Sequence, residues 1–508
     1  MSRLRNVLVA GGVGATLFSA GCRGDEQLPT EMSAAVQAAK PAASLKVTPS
    51  QLNLSGVGVA ATITASSPAE PISVAVSTPA CVSVTLKSQK KDQSKFTVTA
   101  IAAGSCILTV TDGATGNLEV PVTVAATLVP TTLAAGSFHT CGLDGTGAAY
   151  CWGNNGYGQL GNTSTAGSVL ANPTPAAVAG GLTFASLTAG INHTCGLTPA
   201  GAAYCWGGNY AGQLGNTTNS GVEFEENPTP LPVEGNLTFS LLEASVDHTC
   251  GITPQGVMYC WGKNSVGQLG SATNLGTSLP NPTPTPVGGG LTFLAVAAGT
   301  GHTCGVATGG VVYCWGNNYK GQLGNTTDLG VENGAQPTPT AVPGVPALAS
   351  LAAGGNHNCA LTAAGAAWCW GDNHFGQLAG TTDDISSTPV EVPGGLPFVS
   401  LGAGGGHTCG LVSEGYVYCW GGNLLGQLGH AVNFGTSNPA YAPTEVSGVS
   451  LAALAVKGAH TCGLTSAGAA WCWGFNRYGQ LGTLTNNNTD TGVHTPEAVI
   501  GGLTFATP

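Results

Sequence analysis

Residues 193–215 read "HTCGLTPAGAAYCWGGNYAGQLG". Two cysteines stand ten positions apart, a histidine precedes the first by two, a Trp-Gly follows the second, and Gly-Gln-Leu-Gly closes the run. One histidine and two cysteines are the makings of a zinc site, of a thiol nucleophile beside its base, or of a disulfide-closed hairpin. The rest of the chain decides among them.

The stretch recurs seven times in the 508 residues. Its first cysteines are Cys141, Cys195, Cys250, Cys304, Cys359, Cys409 and Cys462, spaced by 50 to 55 residues. The second cysteines are Cys151, Cys205, Cys260, Cys314, Cys369, Cys419 and Cys472. A histidine lies two before each first cysteine, and a Trp-Gly and a Gly-Gln-Leu run follow each second one. Such a period marks a repeat architecture. Each unit holds four short period-two segments, of the types "ASLTAG", "HTCGL", "AAYCW" and "TPAAV", separated by Gly, Pro, Asn or Thr. Four short strands per unit make one propeller blade, and seven units can close into a ring that hides every sheet edge. The last unit takes its fourth strand from "HTPEAV" (494–499), and the tail "GGLTFATP" repeats the start of a junction segment.

At these residues the chain resembles the regulator of chromosome condensation repeat family, on "HTCGL" and "YCWGxNxxGQLG" in seven copies over roughly 127–508. The resemblance implies a seven-bladed β-propeller. It departs at the two cysteines, where the eukaryotic pattern usually carries an apolar and a small residue. Residues 45–126 follow another pattern. "LKVTPSQLNLSGVG" and "FTVTAIAAGSCILTVTDGATGNLEVPVTV" alternate apolar and polar residues and break at Gly and Asn. This is the pattern of a small β-sandwich, similar to bacterial immunoglobulin-like domains, which commonly act as spacers. The fold class is therefore all-β: a seven-bladed propeller preceded by an Ig-like sandwich.

The N-terminus reads as an export signal. Arg3 and Arg5 precede an apolar run from Val7 to Phe18, and Ser19-Ala20-Gly21 leads to Cys22. This arrangement resembles a bacterial lipoprotein signal over 1–22, with Cys22 as the lipidated residue and 23–44 as a flexible tether. The expected location is the cell envelope, or the outside of the cell if Cys22 is not lipidated. Any membrane contact is expected through that anchor alone.

Export bears on the cysteines. Of the 17, Cys22 belongs to the signal, Cys81 and Cys106 to the sandwich, and fourteen to the seven pairs. In an exported chain, paired cysteines read as disulfides. A glycine six after each first cysteine, Gly147 in the first unit, suits a three-residue hairpin loop that places Cys141 opposite Cys151. A zinc site needs reduced thiols and a fourth ligand, and a catalytic cysteine would be one special position rather than seven equivalent ones. No metal and no cofactor is expected.

Positions constant in all seven units build the unit: the Trp, the Gly-Gln-Leu-Gly glycines and glutamine, the Asn three after each Trp, and the His. Function is sought where units differ. Two variable positions separate that Asn from Gly-Gln, and five units place an aromatic there: Tyr157, Tyr210, Tyr319, Phe375 and Tyr478. These are the candidate partner-binding residues, expected as an aromatic ring on one face. The acidic groups Glu223, Glu225, Glu226 and Asp383, Asp384 lack calcium-loop spacing and read as solvated loops.

Only 7% of residues are charged, against about 25% in ordinary domains. From residue 127 onward four Lys or Arg face seventeen Asp or Glu, a net charge of −13. Nucleic-acid binding needs a basic patch, and none is available. No hydrolase, metalloprotease, P-loop or dinucleotide fingerprint appears, and His374, His430 and Arg477, which break the repeat pattern, are scattered. The expectation is a monomeric, non-enzymatic module that binds a protein. The alternatives are glycan or cell-wall polymer binding through the aromatic face, and an exported enzyme with an unrecognised site in the propeller channel.

Overall fold

The computed structural model describes residues 45–54, 60–69, 71–76, 82–100, 104–113, 116–124 and 132–507. The signal, the tether, Cys22 and Cys81 lie outside the described residues.

The N-terminal strands are β1 (Lys46–Thr48), β2 (Leu52–Leu54), β3 (Ala60–Ser66), β4 (Ser73–Val76), β5 (Val82–Lys90), β6 (Gln93–Ala100), β7 (Gly104–Thr111) and β8 (Asn117–Val124). They form two four-stranded sheets, ordered β1-β3-β6-β5 and β2-β8-β7-β4. Alternate residues of both sheets, including Ile63, Ala65, Val98, Leu108, Val110 and Val122, share one core, as period-two strands packed face to face require. Cys106 is buried on β7 and is disulfide-bonded.

From residue 132 onward the described strands build seven four-stranded sheets of one design. The first comprises β9 (Leu133–Ala135), β10 (His139–Leu143), β11 (Ala149–Gly153) and β12 (Asn172–Ala177), joined in sequence order by antiparallel pairing. The seventh ends on Val493–Ala498. The tight β10–β11 hairpin is closed by Gly147, whose φ of 83° an L side chain rarely adopts. Cys141 then stands opposite Cys151. In all seven sheets the paired cysteines are disulfide-bonded, with Cα atoms 4.0–4.1 Å apart.

The disulfides are core as well as covalent links. Cys195 and Cys205 pack with Leu197, Leu214, Phe239 and Trp261, so one sheet's disulfide lies under the next sheet's tryptophan. Every such Trp, from Trp152 to Trp473, is fully buried. In five of the seven junctions the segment between sheets contributes a phenylalanine packed on a glycine, and in the other two a leucine, Leu348 or Leu451, takes its place. A Cβ on Gly196 would fall 2.5 Å from the Phe184 ring. The C-terminal tail does the same for the first sheet. Phe505 lies against Gly142 and 5.7 Å from Trp152, and the Ala506 amide donates to Leu143. The last sheet thus packs on the first as neighbours joined by Phe184, Phe239, Phe293 and Phe398 pack.

Each junction is also joined by one repeated polar arrangement. The Gln159 carbonyl accepts from Thr194 Oγ1 at 2.9 Å and from Trp206 Nε1 at 3.0 Å, both on the next sheet. His139 Nε2 lies 2.8 Å from the same Thr194 oxygen. The hydroxyl's only hydrogen goes to Gln159, so that oxygen accepts from the imidazole. This fixes the ring as the neutral Nε2–H tautomer. The same bonds recur around the chain and return to the start, where His460 bonds Thr140 and Gln480 receives Thr140 and Trp152. In one junction an amide replaces the hydroxyl: Asn358 accepts from His302 through Oδ1 and donates to Gln322 through Nδ2. The donor and acceptor polarity is unchanged. Nδ1 of each of the seven histidines has no hydrogen-bond partner, a milder defect for an acceptor lone pair than for an N–H. The repeated Asn serves its own loop, as where Asn155 Oδ1 accepts the Leu160 amide at 3.0 Å.

Removing one hydroxyl tests the junction. Thr303 accepts from His248 and donates to Gln268. Thr303→Val should cost about 1–3 kcal/mol, read as a lower Tm, because it leaves the buried His248 Nε2–H without an acceptor while the Gln268 carbonyl keeps only Trp315 Nε1, whereas Thr303→Ser should retain most of the stability.

Acid should also weaken the fold. Burial lowers the pKa of His139, His193, His248, His357 and His407 from 6.5 to about 3, and of His302 and His460 to about 4. Between those values and 6.5 the unfolded chain binds more protons than the folded one. The stabilisation is therefore complete above pH 6.5 and is lost as pH falls toward 3, by at most about 1.4 kcal/mol per pH unit for each histidine. The Tm should be level from pH 8 to 7 and fall steeply below 6. A Tm unchanged down to pH 4 would contradict this.

Candidate functional site

In each sheet the long loop after the third strand and the short loop before the second emerge at the same end, because the strands alternate in direction. The variable positions lie in the long loops. The structure separates the two positions that the sequence treats as a pair. The residue directly after the constant Asn points outward: Tyr319, His374, Leu424 and Arg477 are exposed. The residue after that turns toward the neighbouring sheet, and Tyr157, Phe375 and Tyr478 are half-buried there.

The expected open ring of aromatics is thereby corrected. Tyr157 packs 6.0 Å from Tyr210 of the next sheet, and Tyr478 packs 5.3 Å from Phe138 of the first. Phe375 lies against Gly406 and Gly422. Tyr210 is half-buried although it occupies the outward position. Its hydroxyl donates to Asp247, and burial, with that carboxylate beside it, raises its pKa. Of the five candidates only Tyr319 is exposed, with the Lys320 ammonium 5.3 Å from its ring centre. The aromatics mainly seal junctions between loops, and the structure does not gather them into one sugar-stacking platform.

Other side chains stand out from these loops. Val169, Leu170, Phe224, Leu279, Val331 and Leu484 are at least half exposed. The loops also carry a net negative charge. Among the described residues from 132 onward every cation is in an ion pair: Lys263 with Asp247, Lys320 with Asp372, Lys457 with Glu243, and Arg477 with Asp490. Thirteen of the seventeen carboxylates have no cation partner. No group of His, Cys, Asp or Glu arranged to hold a metal ion occurs among the described residues.

A second site was missed from the sequence. A cavity of about 250 Å³ is lined by the inner strands of all seven sheets. Two out-of-pattern residues meet in it. Glu243 occupies the position of Ala134, Thr188, Ala297, Ala352, Gly402 and Ala455, each opposite its sheet's first cysteine. Lys457 occupies that of Gly136, Gly190, Ser245, Gly299, Gly354 and Gly404. From the seventh sheet Lys457 Nζ reaches Glu243 at 3.5 Å, and the carbonyls of Ala244 at 3.1 Å and Ala298 at 3.4 Å. The ammonium thus donates to two carbonyls and pairs with one carboxylate on the third and fourth sheets, from a lysine on the seventh that lines the cavity. Aligning the seven inner strands position by position would have exposed both residues. The out-of-pattern residues that the sequence does flag, His374, His430 and Arg477, lie in the loops.

The RCC1-like domain model matches residues 173–506, and RCC1 repeat models match 131–159 and 146–197. The chain belongs to the RCC1-like repeat family and has its β-propeller fold. It is similar to the Ultraviolet-B receptor UVR8 of Arabidopsis thaliana, at 30% identity over 49% of this chain and 57% of that protein. It is similar to the probable E3 ubiquitin-protein ligase HERC6 of Homo sapiens, at 31% identity over 45% of this chain and 21% of that protein. It is also similar to the human E3 ubiquitin-protein ligase HERC2, at 29% identity over 45% of this chain and 5% of that protein. The chain spans about half or less of the length of these relatives. Among solved structures, Prp20p of Saccharomyces cerevisiae has a TM-score of 0.60 at 22% identity, covering 71% of this chain and 87% of that one. The expectation of a non-enzymatic chain is corrected here: HERC6 and HERC2 are named as ligases, so the repeat does not divide non-enzymes from enzymes.

The cross-cavity pair has its own test. Burial raises the Glu243 pKa against the pull of Lys457. Lys457→Met leaves that carboxylate without its cation and should cost about 1–3 kcal/mol, less than a fully buried pair because Glu243 is partly open. The double variant with Glu243→Gln should recover part of the loss. A Tm for Lys457→Met equal to that of the wild type would show that the pair contributes nothing.

Proposed function

We propose that the chain is a seven-bladed propeller that docks another protein through the face carrying its long loops. The observation behind this reading is the set of large apolar side chains held out in solvent where the repeats differ. Val169, Leu170, Phe224, Leu279, Val331 and Leu484 lie on five different loops, whereas the constant residues are buried in the junctions. Apolar side chains clustered on one face cost solubility and mark an interaction surface. The charge distribution supports a protein partner over nucleic acid, since every cation from residue 132 onward is neutralised within the chain. A related propeller, yeast RCC1 (Prp20), has been crystallised bound to Kap60, and its binding to Gsp1p and histones is named alongside its structure. Those partners belong to that protein.

The wider organisation we propose is a signal at 1–22, a tether at 23–44, an Ig-like spacer at 45–126 and the propeller at 127–508. Cys22 carries a lipid anchor, and the protein works in the cell envelope or outside the cell. Seven disulfide-bonded hairpins fit an oxidising compartment.

Affinity capture from an envelope extract tests the docking. The immobilised full-length chain should retain a protein, and a variant with Leu279, Val331 and Leu484 changed to Ser should retain less. Retention of polysaccharide alone, or of nothing, would defeat the reading.

A further inference from the structure

Resting on that reading, we propose that the docking face has a principal patch across the loops of the first two sheets, and that it takes a basic segment of a partner protein bearing apolar side chains among its lysines or arginines. The patch centres on Phe224, which is 75% exposed. Its backbone adopts a φ of 64°, unusual for a bulky residue. The ring stacks on Tyr157 of the neighbouring sheet, with centroids 6.2 Å apart and planes 21° from parallel. The adjoining loop of the first sheet exposes Val169 at 67% and Leu170 at 70%, with Val169 against Gly156 beside Tyr157, and Val222, two residues before Phe224, is 45% exposed.

The platform is held together from below. The Asn227 amide donates to the Tyr157 carbonyl at 3.3 Å, Gly158 packs on Pro228, and Gly167 lies against the Glu226 carboxylate. Asn227 itself is buried, and its Nδ2 donates to Gly207 at 2.9 Å. The two loops therefore present one surface, and Tyr157 supports Phe224 rather than standing free.

Charge complementarity selects the occupant. Glu223, Glu225 and Glu226 flank Phe224 in sequence, and no described cation from residue 132 onward is left to neutralise them. An acidic partner would meet like charge. A wholly apolar partner would desolvate three carboxylates without pairing them. A basic segment that alternates cationic and apolar side chains satisfies both parts of the patch. Aromatic and aliphatic anchors supply affinity, and the carboxylates supply steering and register.

Fluorescence anisotropy on the full-length chain tests this with three labelled seven-residue peptides. One alternates lysine with leucine or phenylalanine. The second carries glutamate in place of lysine, and the third keeps lysine but has alanine at the apolar places. The first should bind, weaken with added salt, and lose at least tenfold in affinity to the Leu170→Ser, Phe224→Ser double variant, whose two changes are on the surface. The alanine peptide should bind at least tenfold more weakly than the first, and the glutamate peptide should not bind. Equal binding of the first peptide to both proteins, binding of the glutamate peptide, or no binding of any peptide would overturn the proposal. The envelope capture separates this failure from that of the broader reading. A partner retained equally by the wild type and this double variant removes the patch but leaves protein docking in place, whereas no partner with either removes both.

Discussion

One backbone carbonyl per repeat organises this propeller. The glutamine of each Gly-Gln-Leu turn offers its C=O to a threonine hydroxyl (in one junction an asparagine amide) and to a tryptophan N–H, both from the following sheet. The hydroxyl, having spent its hydrogen, can only accept from the histidine that reaches across from the sheet before it. Three side chains and one carbonyl thereby form a directional set that works only with a neighbouring sheet in place. Burial of the tryptophan and the disulfide beside it supplies the apolar driving force, and the polar set decides how the sheets meet. The junction between the last sheet and the first uses the same bonds as the other six, so closure needs no special device beyond the tail that brings Phe505 to Gly142.

This division of labour explains what was legible in the sequence. Seven copies of one pattern revealed the sheets, their four strands and the hairpin around Gly147, because turn chemistry and period-two alternation are local. The constant His, Trp and Gln could be read as structural without showing which groups they join, since each bonds outside its own repeat. The two variable loop positions looked equivalent because sequence spacing carries no direction. In the structure Tyr157 and Tyr478 seal junctions while Tyr319 and Leu424 face water. Lys457 and Glu243 lie more than 200 residues apart and meet only because the sheets form a ring.

The loops divide along the same physical line. The His, Thr or Asn, Trp and Gln that join neighbouring sheets recur, while the loop position that seals against the next sheet varies in size. Loop residues that stand out into solvent also vary, and several are large and apolar. Among the described residues from 132 onward the few cations are all consumed by nearby carboxylates. What reaches the solvent on the loop face is therefore apolar area set in uncompensated negative charge. Both properties favour a protein partner with basic and apolar groups, and neither suits a phosphate backbone.

The central claim is that seven neutral histidines, each donating from Nε2, join the sheets. Nitrogen-15 NMR of the imidazole rings reads tautomer and charge directly. Seven of the chain's ten histidines should be held as the Nε2–H tautomer and uncharged at pH 5. Ring histidines that protonate near pH 6.5, or that carry their proton on Nδ1, would contradict it.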